Sequence, residues 1–252
     1  MHVNRLLALA ASTLLSACAS HLNAPAETVS VPDTGFRTIT GITYSPDNWP
    51  QELQADLYLP DSPDPAPAVL LVHGGGWERR SRKDMTWIAE HLAGRGFAVM
   101  NIDYRFAPEH TFPAQLHDLQ IAMNWLHARA GADNLDRNAI SAFGFSSGAH
   151  LVSLLAVIAE SQHPLNQPHG GTDARPEAVV AGGLPADLRT FGSGKLIRQF
   201  LGGDQQDIPG VSEAASPITH ITAGPPPFFL FPGSQDMLLP AAQARDIRRR
   251  LA

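Results

Sequence analysis

Cysteine is almost missing from this chain: Cys18 is the single one in 252 residues, which excludes an intrachain disulfide framework and a thiolate-rich metal site. There is no His-Glu-x-x-His pair to hold zinc on a helix face, and no glycine loop of the phosphate-cradling kind, so nothing signals a metal or a nucleotide cofactor. Positive charge is in deficit, with 18 Lys and Arg against 24 Asp and Glu and a net charge of -6. The lone basic cluster, Arg248-Arg249-Arg250, reads as the solvated face of a helix, and the balance argues against a nucleic-acid partner. Repeats and low-complexity tracts are also lacking. What remains is an ordinary globular composition, 44% hydrophobic and 17% charged, long enough for one large α/β domain with a substantial core.

The longest apolar run sits near the start. Residues 6–15 follow Arg5 and are too short to span a bilayer permanently, and Leu15-Ser16-Ala17-Cys18 closes the run with small residues before the cysteine. The segment resembles a bacterial lipoprotein signal. That resemblance implies removal of residues 1–17, acylation of Cys18 as the first mature residue, and attachment to a membrane through lipid. Ala19 after the cysteine implies, by the same resemblance, an outer-membrane destination facing the periplasm. A simple secretory signal with an incidental cysteine is the alternative. Residues 18–34, with Pro25, Ser30 and Pro32, read as a tether, and residues 35–252 as the folded domain.

From Gly35 onward strand and helix patterns alternate. Residues 36–44 and 53–59 flank the turn-like Ser45-Pro46-Asp47-Asn48 and predict an antiparallel opening hairpin. Ala68-Val69-Leu70-Leu71-Val72 is a continuous apolar run of the buried parallel-strand kind. A helix is expected over 84–92, a strand over 97–102, a helix over 113–128, a strand over 140–145 leading into a helix, then a strand near 178–184 and another over 228–231. This βα winding predicts an α/β fold with a mostly parallel central sheet and helices on both faces.

Chemistry concentrates at Gly144-Phe145-Ser146-Ser147-Gly148, a Gly-x-Ser-x-Gly turn between an apolar strand and a helix with Leu151, Leu154, Leu155 and Ile158 at helical spacing. A sharp strand-to-helix turn needs residues without a Cβ on either side of its apex, and it lifts the Ser146 hydroxyl off the sheet. Upstream, His73-Gly74-Gly75-Gly76-Trp77 follows the third strand, and its glycines leave backbone N–H groups unshielded to stabilise an oxyanion.

With these residues, and with Tyr104 to His110, Phe112-Pro113 and Asp118, the chain resembles the α/β-hydrolases, within them the esterases with a His-Gly-Gly-Gly-Trp oxyanion loop related to hormone-sensitive lipase and the feruloyl-esterase-like branch. The resemblance covers residues 36–252. It implies Ser146 as nucleophile, the amides of Gly75, Gly76 and Ser147 as the oxyanion hole, Asp236 as the acid of the triad, and a small-molecule carboxylic ester as substrate. Asp187 is the competing acid. The family order of Ser, acid, then His puts the base on a loop after an eighth strand, yet no histidine follows Asp236 in this sequence. The base, the final strand and the final helix are therefore expected to be missing from these residues, which leaves an impaired esterase and an exposed edge at 228–231. The rival reading is a non-catalytic envelope lipoprotein that uses the hydrolase pocket for binding. His73 and His150 are expected to hold structure, and His163 and His169 to lie in solvent. Trp77 lines the acyl pocket or packs in the core, and residues 188–215 form the lid.

Overall fold

The computed structural model describes residues 33–159, 163–192, 194–221, 224–232 and 241–251. The signal segment, Cys18 and Asp236 lie outside them. Seven strands form one sheet in the order β1-β2-β4-β3-β5-β6-β7. Strands β1 (Phe36–Thr43) and β2 (Gln54–Pro60) form the expected antiparallel pair, and β2 runs antiparallel to β4 (Ala98–Ile102). From there β3 (Ala66–Val72), β5 (Leu135–Phe145), β6 (Val179–Gly182) and β7 (Phe228–Phe231) continue in parallel.

The central strands are covered on both faces, which is why β3 lacks the alternation of a half-exposed strand. Leu70 and Val72 enter the larger core with Met100, Leu116, Leu119, Leu151 and Leu155, from α2 (Ala114–Arg129) and α3 (Ser147–Ile158). Leu71 turns the other way, to Tyr58, Met85, Ala89 and Val99, under α1 (Thr86–Ala93). Burying each such leucine contributes about 1.5–3 kcal/mol. Every residue of α3 is buried, since the sheet lies under it and the segment α4 (Lys195–Leu201) to α5 (Pro209–Ala214) packs beyond it. The terminal helix α6 (Ala241–Leu251) lies next to β7 and places Ile247 in the core. No helix among the described residues is long and apolar enough to cross a membrane.

Two boundaries differ from expectation. Strand β5 starts at Leu135 rather than 140, because Leu135 pairs with Ala66 ahead of an irregularity in register. The helix expected from Asp84 is preceded by a 3₁₀ turn, Arg82–Met85, since the Asp84 carboxylate accepts the Ser81 N–H at 3.2 Å and starts the winding two residues early.

Candidate active site

Ser146 sits between β5 and α3 with φ 54° and ψ -119°, a left-handed conformation that costs a non-glycine residue about 1–3 kcal/mol. Two backbone bonds hold it there: its N–H donates to Gly182 O at 2.8 Å, and its carbonyl accepts from His150 N at 3.0 Å. The flanking glycines are obligatory by contact. A Cβ on Gly148 would overlap Val72 O and lie 2.6 Å from His73 O, and one on Gly144 would lie 2.5 Å from Ala149 N.

The glycine loop after β3 folds over this apex. Gly74 approaches so closely that a Cβ would stand 3.2 Å from Ser146 Cβ. Gly75 and Gly76 have φ of 126° and 66°, and the strain continues into Trp77 at 61° and Arg80 at 79°. Gly76 N–H donates to Ser147 Oγ at 3.0 Å, Ser147 Oγ lies 3.3 Å from the Tyr104 hydroxyl, and that hydroxyl donates to His73 O at 3.2 Å. Burial pushes the Tyr104 phenol up, so it stays a neutral donor. The structure thus gathers Gly75, Gly76 and Ser147 around Ser146, but the Gly76 amide is already engaged. Ser147 N–H, in the first turn of α3, has no carbonyl partner within its helix.

The far end of the loop is anchored by a partly buried ion cluster. Arg82 Nε lies 3.0 Å from Asp56 Oδ1, its Nη1 pairs with Asp103, and its backbone N–H donates to Asp103 Oδ1 at 2.7 Å. Nothing in the local sequence announced this cluster, because its members come from β2, the loop after β3 and the end of β4. A second buried pair, Arg105 with Asp118 at 2.7 Å, is joined by Trp49 Nε1 donating to Asp118 at 2.8 Å. Burial raises the Asp118 carboxyl and the Arg105 bonds oppose that rise.

Both histidines beside the site are buried in the fold. His73 is fully buried, its Nδ1 bonded to Gly74 O at 2.6 Å and its pKa lowered by desolvation. His150 is fully buried too. Its Nδ1 accepts from Trp77 Nε1 at 3.2 Å and its Nε2 meets Ala215 O at 2.6 Å, which makes it the neutral Nε2–H tautomer; desolvation lowers its pKa to about 4. Trp77, only 3% exposed and stacked on Phe200 at 4.4 Å, packs in the core rather than in the acyl pocket. Asp187 is held by Arg189 through bonds of 2.8 Å to both oxygens, which keeps its carboxyl below the usual range.

His163 and His169, expected in solvent, are half-buried: His163 packs edge-on against His220, and His169 against Trp49 and His117. These contacts span elements far apart in sequence, which local polarity could not reveal. Among the described residues no three His, Cys, Asp or Glu come together to hold a metal.

The Ser146 hydroxyl opens into a cleft of about 480 Å³. The glycine loop forms part of its lining, apolar Met85, Trp87, Ile88, Phe145 and Leu196 another, and Arg79, Arg80 and Asp84 the rest. Leu196, from α4 in the segment expected as lid, comes so near the loop that a Cβ on Gly76 would lie 2.8 Å from its Cδ1.

A search for relatives agrees with this architecture. Esterase LipC of Mycobacterium tuberculosis is 34% identical over 74% of this chain and 48% of its own length, so the chain spans about half the length of the curated relatives it matches. A truncated carbohydrate esterase from gut microbiota superposes with a TM-score of 0.76 at 24% identity, covering 88% of this chain and 86% of that one. The bifunctional GH43-CE protein of Bacteroides eggerthii gives 0.75 at 26%, over 84% of this chain and 33% of its own. Together with the sheet order and the Ser146 turn, the match of the BD-FAE family profile to residues 55–251 shows that this chain, with its α/β-hydrolase fold, belongs to the BD-FAE family.

Proposed function

We propose that this protein is a serine carboxylic ester hydrolase acting through an acyl-Ser146 intermediate. The observation that carries the reading is Ser146 at the strained apex of its turn, open to a 480 Å³ cleft lined by Gly74, Gly75 and Gly76. In this reading Ser146 Oγ attacks the ester carbonyl, and the N–H groups of Gly75 and Ser147 receive the oxyanion. Gly76 joins them when the Ser147 hydroxyl releases its amide. As the C–O bond to the alcohol breaks, the proton lost by Ser146 Oγ ends on the leaving oxygen, and water then cleaves the acyl-enzyme to the free acid, returning a proton to Ser146 Oγ. The acid is Asp236, by resemblance. LipC, named an esterase, and the carbohydrate-esterase neighbour support the reaction class.

Neither histidine beside the nucleophile, His73 or His150, is assigned as its base, since both are buried and bonded within the fold. Incubation with a fluorophosphonate probe should label Ser146, and Ser146→Ala should abolish both labelling and p-nitrophenyl ester turnover. Asp236→Asn should lower turnover by up to about 10⁴-fold. No labelling of Ser146 would favour the binding-protein reading. The anchor is tested separately: Cys18→Ser should move the protein from the membrane fraction or block its processing, and a wholly soluble wild type would end that part of the proposal.

A further inference from the structure

The rim of the Ser146 cleft carries two cations, Arg79 and Arg80. Most of the chain's arginines near carboxylates are hydrogen-bonded to them, as Arg82, Arg105, Arg129, Arg137 and Arg189 show. Arg79 and Arg80 differ. Their side chains are 74% and 59% exposed, and the nearest carboxylates, Glu78 and Asp84, stand at 3.7 and 3.8 Å, beyond hydrogen-bond length. The Asp84 carboxylate accepts, through Oδ2, from the Ser81 amide that starts the 3₁₀ turn ahead of α1. Arg80 is moreover held at φ 79°, with its Cγ packed 3.1 Å from where a Gly75 Cβ would be, so a strained backbone keeps the stem of this side chain beside the glycine loop.

Apolar surface is concentrated in the same place. Of the six large apolar side chains exposed among the described residues, three line this cleft: Trp87 at 69%, Phe145 at 48% and Leu196 at 37%. Exposed apolar surface at a cleft marks a binding face. Two guanidinia with unfilled donor forks match a carboxylate or another oxyanion, which they bind with geometric as well as electrostatic preference.

We infer that the ester taken by this cleft carries an anionic group as well as a flat apolar one: Arg79 and Arg80 hold the anion while Trp87 and Phe145 cover the apolar part. This specifies the substrate class of the proposed reaction and so rests on Ser146 being its nucleophile, but the anion preference is measurable as binding without turnover. The chain's net charge of -6 would repel such a substrate elsewhere, so the arginine pair also gives the approach a direction.

The test uses the full chain with Ser146→Ala, so that ligands stay intact, and titration calorimetry on two matched pairs. The pair 4-acetoxybenzoate and 4-acetoxybenzamide puts the charge on the alcohol side; the 4-nitrophenyl esters of glutaric monoacid and glutaramic acid put it on the acyl side. In one pair the anion should bind about tenfold tighter than its amide, and this preference should shrink in about 1 M salt, where the screening length is about 3 Å. Arg79→Gln with Arg80→Gln should erase the preference, while Arg79→Lys with Arg80→Lys should retain most of it. Equal binding within both pairs, or a preference untouched by the glutamine variant, would overturn the inference. Failure of Ser146 to react with a fluorophosphonate in the wild type, with the anion preference intact, would instead remove the catalytic reading and leave the anion site standing.

Discussion

His150 offers the sharpest test of how this site is held. The fold keeps it neutral at its centre, with Nδ1 occupied by the Trp77 N–H and Nε2 by Ala215 O, so a second proton would have to displace Trp77 in a desolvated place. Its pKa is about 4 in the fold, against about 6.5 for a free imidazole, so the unfolded chain takes the proton first as pH falls. The sign follows: this contribution to stability is complete above the unfolded pKa and is lost as pH drops toward 4. Linkage gives a loss of about 1.4 kcal/mol by pH 5.5 and about 3 kcal/mol once both states are protonated. His150→Gln keeps a donor toward Ala215 but removes the acceptor for Trp77, leaving a buried N–H that costs about 1–3 kcal/mol. Urea unfolding should therefore find the variant less stable at about pH 8, with the gap to wild type closing by about 1.4 kcal/mol at pH 5.5. Parallel curves for the two proteins would refute the buried neutral imidazole. A variant as stable as wild type, yet no longer labelled at Ser146, would make His150 the general base.

Gly148→Ala should not fold, because its Cβ overlaps the end of β3; soluble yield and a thermal melt decide, and a cooperative melt near wild type would contradict the packing described. Asp118→Ala strands the buried Arg105 and the Trp49 N–H, and should cost about 3–5 kcal/mol in chemical denaturation. Phe229, 65% exposed on the last strand of the described sheet, should tolerate Lys with little change in melting temperature and a higher soluble yield; an unchanged yield would show that this edge does not drive association.

Some of the site could be read directly because local backbone geometry dictates it. Only glycine permits the turns at 144, 148 and 75, so those residues announce the elbow and the loop wherever the chain goes next. Strand β3 was equally visible, since burial on both faces demands an unbroken apolar run. The start of β5 was not, because Leu135 joins the sheet through one partner, Ala66, rather than through a pattern of its own. Trp77 was ambiguous for a related reason: next to the glycines it can face either way, and the stacking by Phe200 and the His150 acceptor decide for the core.

The sequence by itself determined the fold class, the serine at the turn and the donors near it, because period, glycine placement and motif order are short-range properties. Tertiary structure alone decided which charged groups remain available. His150 is committed by Trp77 and Ala215 in other elements, His73 is stacked on Tyr104, and Arg82 is tied to Asp56 and Asp103 across the sheet. Arg79 and Arg80, near neighbours of Arg82 and chemically identical to it, are left at the rim. Arg82 differs from them in having carboxylates from β2 and the end of β4 brought into bonding contact, and no spacing along the chain encodes that contact.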